Sequence, residues 1–228
     1  MKIGILGAMS VEIDAIKRMV KNPETKTVGG VAFVCGSIGK EEVVVAQCGI
    51  GKVFAGIAAQ TMILSFGVET LINVGVAGTL SPRVGLLELA IATEVVQHDM
   101  DTSALGDPVG MISGINKVKL PAASALCERI AKTAEALGIP YACGVIASGD
   151  QFIADREKKE WIRDTFDAIA CEMEGAAIGQ VCYVNGIDFA ILRAISDNAD
   201  DAAGSLDYPT LCTRAAAQTQ RLIRSMLS

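Results

Sequence analysis

Histidine is almost missing from this 228-residue chain: His98 stands alone. A histidine-rich metal site or a Ser-His-Asp triad therefore has little support, and acid–base chemistry falls to carboxylates. Clustered basic residues are absent too, with 20 Lys and Arg against 26 Asp and Glu and a net charge of −6. Nucleic acid is bound through a clustered excess of Lys and Arg, so it is not an expected partner. No apolar run reaches the ~20 residues of a membrane span; the longest candidate, Leu86 to Val96, is interrupted by Glu88 and Glu94. The start, Met1 to Gly7, is too short and glycine-rich for a signal peptide and reads as a first strand. The seven cysteines are odd in number, scattered, and contain no Cys-x-x-Cys pair. That usage fits reduced, mostly buried thiols in a cytoplasmic protein.

What the chain has is apolar content, 51% against 20% charged residues, enough for a sizeable core. Without linkers, repeats or low-complexity segments, residues 1–228 read as a single domain. Strand-like runs fall at Lys2–Leu6, Val31–Gly36, Val43–Gln47, Thr70–Val74, Leu89–Ala92, Ala142–Ala147, Ala168–Cys171 and Phe189–Ile195. Helical periodicity marks Val11–Val20, Val53–Phe66, Ala122–Leu137, Glu157–Thr165, Glu174–Val184 and Pro209–Met226. Alternation of the two predicts an α/β fold of three layers, α/β/α, around a central sheet. A hairpin over Val31–Gln47 makes that sheet mixed rather than purely parallel. Residues 97–121, the longest stretch without periodicity, read as a functional loop or an oligomer contact.

Polar residues gather where strands end, the usual place for ligands of α/β sheets. Arg193, Ser196 and Asp197 follow the apolar run Phe189–Leu192, where a buried strand has no structural need of them. Gly4 to Met9 loosely suggests a dinucleotide fingerprint, but the third glycine is replaced by Met9 and no suitable acid follows, so NAD is rejected. Glu12, in the first turn of the next helix, reads on its own as a capping-region carboxylate. Glu172 and Glu174 are expected to point to opposite sides, one exposed and one entering the crevice. Phe152, after Ser148-Gly149-Asp150, is either core or a platform for a planar ligand. His98 with Asp99 and Asp101 is a thin metal set, and structural hydrogen bonding is the better reading.

Taken in order, Gly7-Ala8-Met9-x-x-Glu12, Cys48-Gly49-Ile50-Gly51-Lys52-Val53, Asn73-x-Gly75-x-Ala77-Gly78, His98-Asp99-x-Asp101, Ser148-Gly149-Asp150-x-Phe152-Ile153, Glu172-Met173-Glu174 and Arg193-Ala194-Ile195-Ser196-Asp197 resemble the bacterial 5′-methylthioadenosine/S-adenosylhomocysteine nucleosidases. That family belongs to the purine nucleoside phosphorylase/hydrolase superfamily, and the resemblance spans essentially the whole chain. It implies a fold of that superfamily and hydrolysis of an N-glycosidic bond, releasing adenine and a 5-thioribose in methionine salvage. It implies Asp197 as the acid for adenine N7, supported by Ser196, and Glu12 as the residue activating water, with Arg193 orienting nearby. Glu174 is implied to accept from the ribose hydroxyls beside Met173, Phe152 to stack on adenine, and the Ile153 backbone to read its edge. Ala8, Met9, Ile50 and Gly78 are implied to line the pocket, and Tyr208 to close it as an aromatic lid residue. A homodimer is also implied, with Thr102 and Leu105 reaching the neighbouring subunit's alkylthio pocket. No metal or organic cofactor is required.

Val76 departs from the serine of many relatives, and the segment Ala202 to Pro209 fits the lid pattern loosely. Three rivals stand beside this reading. They are a nucleoside phosphorylase, a nucleosidase for another adenine nucleoside such as 5′-deoxyadenosine or a futalosine-type intermediate, and a non-catalytic nucleoside-binding protein. A phosphorylase needs a cationic, donor-rich phosphate site, whereas the first loop offers Glu12 and no arginine.

Overall fold

The β-branched and apolar runs form strands, and each expected run lies within one of ten in the computed structural model, which describes residues 1–200 and 207–228. The chain runs β1 (Lys2–Gly7), α1 (Ser10–Lys17), β2 (Lys21–Val28), β3 (Val31–Ile38), β4 (Glu41–Gln47), α2 (Lys52–Phe66) and β5 (Thr70–Thr79). It continues through β6 (Leu89–Gln97), β7 (Lys119–Pro121), α3 (Ser124–Leu137), β8 (Tyr141–Ser148), α4 (Arg156–Phe166), β9 (Ala168–Glu172), α5 (Gly175–Asn185), β10 (Asp188–Asp197) and α6 (Tyr208–Leu227).

The first helix ends at Lys17, three residues before the expected Val20. Val20 turns inward and the chain crosses Gly36 of β3 so closely that a Cβ there would lie 2.4 Å from the Lys21 carbonyl oxygen. It then enters β2, a strand the sequence does not signal. All eight residues of β2, Lys-Asn-Pro-Glu-Thr-Lys-Thr-Val, are exposed, so burial imposes no alternating pattern on them. The strand exists by antiparallel pairing with β3, which pairs in turn with β4 across the Gly39-Lys40 turn.

Parallel pairing joins β4 to β1 and β1 to β5, and the mixed sheet of the sequence reading is present. One feature was not anticipated. The pairings β5–β10, β10–β6, β6–β8, β8–β9 and β9–β5 return to their starting strand, so half of the sheet closes on itself. Long-range pairings of this kind leave no local trace in a sequence.

Helices cover both faces. Alternate residues of β1 point to opposite sides, Ile3 and Ile5 joining Ile13, Ile16, Leu222 and Ile223 of α1 and α6. Leu6 joins Ala55, Ala59 and Met62 of α2 and Ile178 of α5. Gly4 faces that second side, where a Cβ would meet Met62 Sδ at 2.9 Å, so the helix packs directly on the strand.

The split along β5 places the site. Its pairing with β1 stops at Asn73, and pairing with β9 begins only at Gly78. Between them, one edge of the strand around Val76 has no neighbouring strand, and a cavity opens there.

Candidate active site

The ends of β1, β5, β9 and β10 converge on this cavity, which is open to solvent and holds about 610 Å³ of empty space. Three loops bring the remaining walls. Ala8 and Met9 follow β1, Ile50 precedes α2, and Gln151, Phe152 and Ile153 follow β8. Val76, Ala77 and Gly78 form the β5 wall, with Met173 and Glu174 after β9 and Ser196 and Asp197 at the end of β10. Tyr208, at the start of α6, meets Phe152 edge-on with ring centroids 5.5 Å apart. Phe152 is 50% exposed, which excludes the core reading and leaves a ring face for a planar ligand. The expected lid segment lies mostly outside the described residues, with only Asp207, Tyr208 and Pro209 inside them.

Glu12 keeps the capping place read from the sequence and also lines the cavity. As the third residue of α1 it accepts from the Met9 N–H, 2.8 Å from Oε2, in a capping arrangement. The same oxygen accepts from Ala8 N–H (2.8 Å), while Oε1 accepts from the Val76 N–H at 3.0 Å. The β5 amide that lacks a strand partner is thus satisfied by a carboxylate. Burial raises the proton affinity of Glu12, against Arg193 and these three amides, which lower it.

At the opposite end Asp197 is also buried, with its Oδ2 accepting from Ser196 Oγ and its Oδ1 from the Ala199 N–H, both at 2.8 Å. Ala199 takes φ +50° to deliver that N–H, and its side chain is fully buried against Gly78, where a Cβ would lie 2.8 Å away. Burial is the main cause that raises the Asp197 pKa, with these two hydrogen bonds opposing it. The carboxyl is therefore biased toward its protonated form.

The expectation for Glu172 and Glu174 is overturned. Both are buried, and both turn toward Arg193. Strand alternation does not apply because β9 ends at Glu172 and the chain turns into α5, with Glu174 as the N-cap residue. Glu172 accepts from Arg193 and from Ser148 Oγ, and from the N–H groups of Glu174 (3.0 Å) and Gly175 (2.8 Å). Glu174 Oε1 accepts from Gly51 N–H at 2.9 Å, and its Oε2 lies 3.6 Å from the guanidinium. Burial raises Glu172, yet Arg193 and Ser148 outweigh it and hold the pKa below the usual range. Burial and the adjacent Glu172 push Glu174 up to about 7.

Arg193 is only 1% exposed and is not among the residues that line the cavity. It lies behind the wall, donating to Asn73 and Glu172. Sequence reasoning missed Glu172, Asn73 and Ser148 as parts of this cluster. The Asn73-x-Gly75 and Ser148-Gly149-Asp150 motifs were the available signals.

The His98 group does not behave as a ligand set, and no metal-binding group of His, Cys, Asp or Glu occurs among the described residues. Structural hydrogen bonding holds for Asp99 and Asp101 and not for the His98 ring. Both ring nitrogens are buried without a hydrogen-bond partner, and the ring packs so close to Gly149 that a Cβ there would lie 2.4 Å away. Asp99 instead accepts from Lys52 Nζ (2.6 Å) and the Asp150 N–H (2.9 Å), tying α2 to the loop that carries Phe152. Thr102 Oγ1 donates to Asp107, and Leu105 is 84% exposed; neither lines this cavity. All seven cysteines are free.

The phosphorylase superfamily model matches residues 2–228. An aminodeoxyfutalosine nucleosidase of Helicobacter pylori is 39% identical over 229 residues, covering 99% of this chain and 98% of the relative. A 5′-methylthioadenosine/S-adenosylhomocysteine nucleosidase of Shewanella halifaxensis is 34% identical, covering 100% and 99%. The Helicobacter pylori 5′-methylthioadenosine/S-adenosylhomocysteine nucleosidase solved with butyl-thio-DADMe-Immucillin-A superposes with a TM-score of 0.94 at 39% identity, covering 99% and 97%. The chain thus belongs to the methylthioadenosine/S-adenosylhomocysteine nucleosidase family of the phosphorylase superfamily, and it is an N-glycosidic hydrolase of the group that also takes in the aminodeoxyfutalosine nucleosidases.

Proposed function

We propose that the enzyme hydrolyses 5′-methylthioadenosine and S-adenosylhomocysteine at the C1′–N9 bond, yielding adenine and a 5-thioribose. The observation that carries this reading is a pair of buried carboxylates, Glu12 and Asp197, on one cavity whose described lining contains no Lys, Arg or His. Cleavage sends the bonding electrons to adenine and leaves oxocarbenium character on the ribose. Asp197, biased toward its protonated form, gives its proton to N7. Glu12 takes a proton from water as the water oxygen bonds to C1′, and solvent exchange restores both groups. Burial favours the protonated form of Asp197 and raises the proton affinity of Glu12, so one physical cause bears on both steps. Three backbone N–H groups hold Glu12 in place, and with valine at position 76 offering no hydroxyl, the water rests on Glu12.

In this reading Phe152 stacks on the base and the Ile153 backbone reads its edge. Glu174 accepts from the ribose hydroxyls beside Met173, and Tyr208 closes over the ligand. A phosphorylase is disfavoured because a phosphate in the cavity would meet Glu12, Glu172, Glu174 and Asp197 without a cation in the lining. A second reading, aminodeoxyfutalosine as substrate, is favoured by the name of the 39% identical relative. The 5′ substituent separates the two readings.

The test is adenine release from all three nucleosides in phosphate-free buffer, then with phosphate added. Release without phosphate supports the hydrolase, and the ratio of rates assigns the substrate. Release that requires phosphate overturns the role given to Glu12.

A homodimer belongs to the same proposal. Val53, Phe54 and Ile57 of α2 and Val184 of α5 are exposed apolar side chains on two helices that pack together. Pairing of this face with a second copy would cover them, with Thr102 and Leu105 as the loop offered to the neighbour's pocket. Sedimentation at micromolar concentration tests it, and a monomer with full activity counts against it.

A further inference from the structure

Three buried carboxylates, Glu12, Glu172 and Glu174, share one buried guanidinium, and that cation is not among the residues lining the cavity. Glu172 holds it. Its Oε2 takes the guanidinium together with the Glu174 and Gly175 N–H groups, and its Oε1 takes Ser148 Oγ and again the Gly175 N–H. Ser148 Oγ in turn accepts from the Ala176 N–H at 2.7 Å, so the first turn of α5 is pinned to β8 and β9. With both oxygens engaged, Glu172 has no acceptor to spare for substrate or water, although it borders the cavity. Glu174 is left 3.6 Å from Arg193, beyond hydrogen-bond reach, and is anchored by Gly51 N–H alone.

We propose that Glu172 is a positioning residue for nucleoside binding: by occupying Arg193 and the first amides of α5, it keeps Glu174 in a loose ion pair rather than closed onto the cation, and so free to accept from the ribose hydroxyls. The proposal rests on the reading of Glu174 as the ribose acceptor. Without Glu172, the most direct neutralisation of Arg193 is closure of Glu174 onto it, which withdraws the acceptor from the ligand. The charged and titratable groups around Glu174 are Glu172 from β9, Arg193 from β10, Glu12 from α1 and Cys48 after β4. Burial is the first cause that brings Glu174 up to about 7, and Glu172 is the larger of the two negative neighbours that add to it.

The experiment compares Glu172→Gln with the wild type from pH 5.5 to 8.5. Two probes are used: adenine, and a C-nucleoside analogue of adenosine, whose ribose is intact and whose base cannot be hydrolysed off. In the wild type the C-nucleoside binds more weakly as pH falls through about 7, and adenine does not follow that limb. In Glu172→Gln the C-nucleoside is expected to bind about tenfold more weakly at pH 8, with its acid limb moved down by about one unit, while adenine affinity is unchanged. Glu172→Asp, which keeps the charge, restores the position of the limb. Equal weakening of both probes with an unmoved limb indicates a purely structural role and overturns the proposal, as does an unchanged C-nucleoside affinity. If Glu172→Gln does not fold, Ser148→Ala removes one donor from Glu172 and is expected to shift the limb the same way by a smaller amount; an unmoved limb there overturns the proposal. Adenine release by the wild type is the independent control. Its failure removes the underlying nucleosidase reading, whereas release with an immobile limb removes only the role of Glu172.

Discussion

The two ends of the cavity handle buried negative charge in different ways. At the end of β10, Asp197 has two hydrogen-bond donors, the Ser196 hydroxyl and the Ala199 amide, and both are neutral. At the other end, Glu12, Glu172 and Glu174 are grouped around Arg193, with backbone amides on each carboxylate. Burial raises the proton affinity of Asp197, Glu12 and Glu174 alike, and the guanidinium, with the hydrogen bonds beside it, brings only Glu172 below the usual range. The single buried cation thus stands among three carboxylates, while the fourth has only neutral hydrogen-bond partners. Asp197 does feel charge at longer range, since Lys159 lowers and Asp200 raises its proton affinity, but both weigh less than burial.

The largest expected effect comes from removing the acid. Asp197→Asn keeps shape and loses the transferable proton, so adenine release should fall about 10^4-fold, the upper end for general acid catalysis. Binding of a C-nucleoside should persist, and near-normal turnover would end the acid assignment. At the opposite end the matching substitution is Arg193→Met. It strands Glu172 in a buried site, with an expected cost of about 3–5 kcal/mol and a loss in Tm on the order of 10 °C. Calorimetry reads this directly, and a Tm within experimental error of wild type would mean the cation is not needed for charge balance.

Glu174 supplies a gentler test through pH. Its folded pKa, about 7, lies above the ordinary carboxylate value of 4.5. Between those values the folded state binds more protons than the unfolded one, so this group lowers stability as pH rises from about 4.5 to 7. Below that window its effect vanishes, and above it the penalty is complete. Glu174→Gln should accordingly flatten the decline and leave the ligand-free protein more stable at pH 8, by up to about 3 kcal/mol at roughly 1.4 kcal/mol per unit, while raising KM. Denaturant melts at pH 5 and 8 show the sign. The smallest effect is expected for Ser196→Ala, which deletes a hydrogen bond that favours ionised Asp197. The basic limb of the kcat profile should move to higher pH by a fraction of a unit, and a move to lower pH would contradict the donor role of the hydroxyl.

Much of this molecule could be read before folding, for reasons that also explain the gaps. Strands such as Phe189–Ile195 carry their burial in their composition, whereas the apolar helix Val53–Phe66 is legible although part of its apolar surface is exposed, and both lie within observed elements. β2 does not, because an edge strand with every residue exposed is held by backbone pairing to β3 and by no buried side chain. Closure of β5, β10, β6, β8 and β9 depends on pairings between distant segments, which no local pattern records. In the site, the motif order led to Glu12, Glu174 and Asp197, and all three border one cavity. Glu172 was misjudged because period-two alternation was carried one turn beyond the end of β9. Its place just ahead of a helix was the usable clue, since its carboxylate receives the first amides of α5.

The gap along β5 has one more consequence. Where a neighbouring strand would accept from Val76, the acceptor is an ionisable side chain, Glu12. The Val76 amide is thereby a natural reporter of that carboxyl. Its proton resonance should move downfield when Glu12 is ionised and upfield when Glu12 is protonated, and its exchange with solvent should quicken whenever the carboxyl swings away. A single labelled backbone position can therefore follow Glu12 through pH and ligand binding, without a substitution in the cavity.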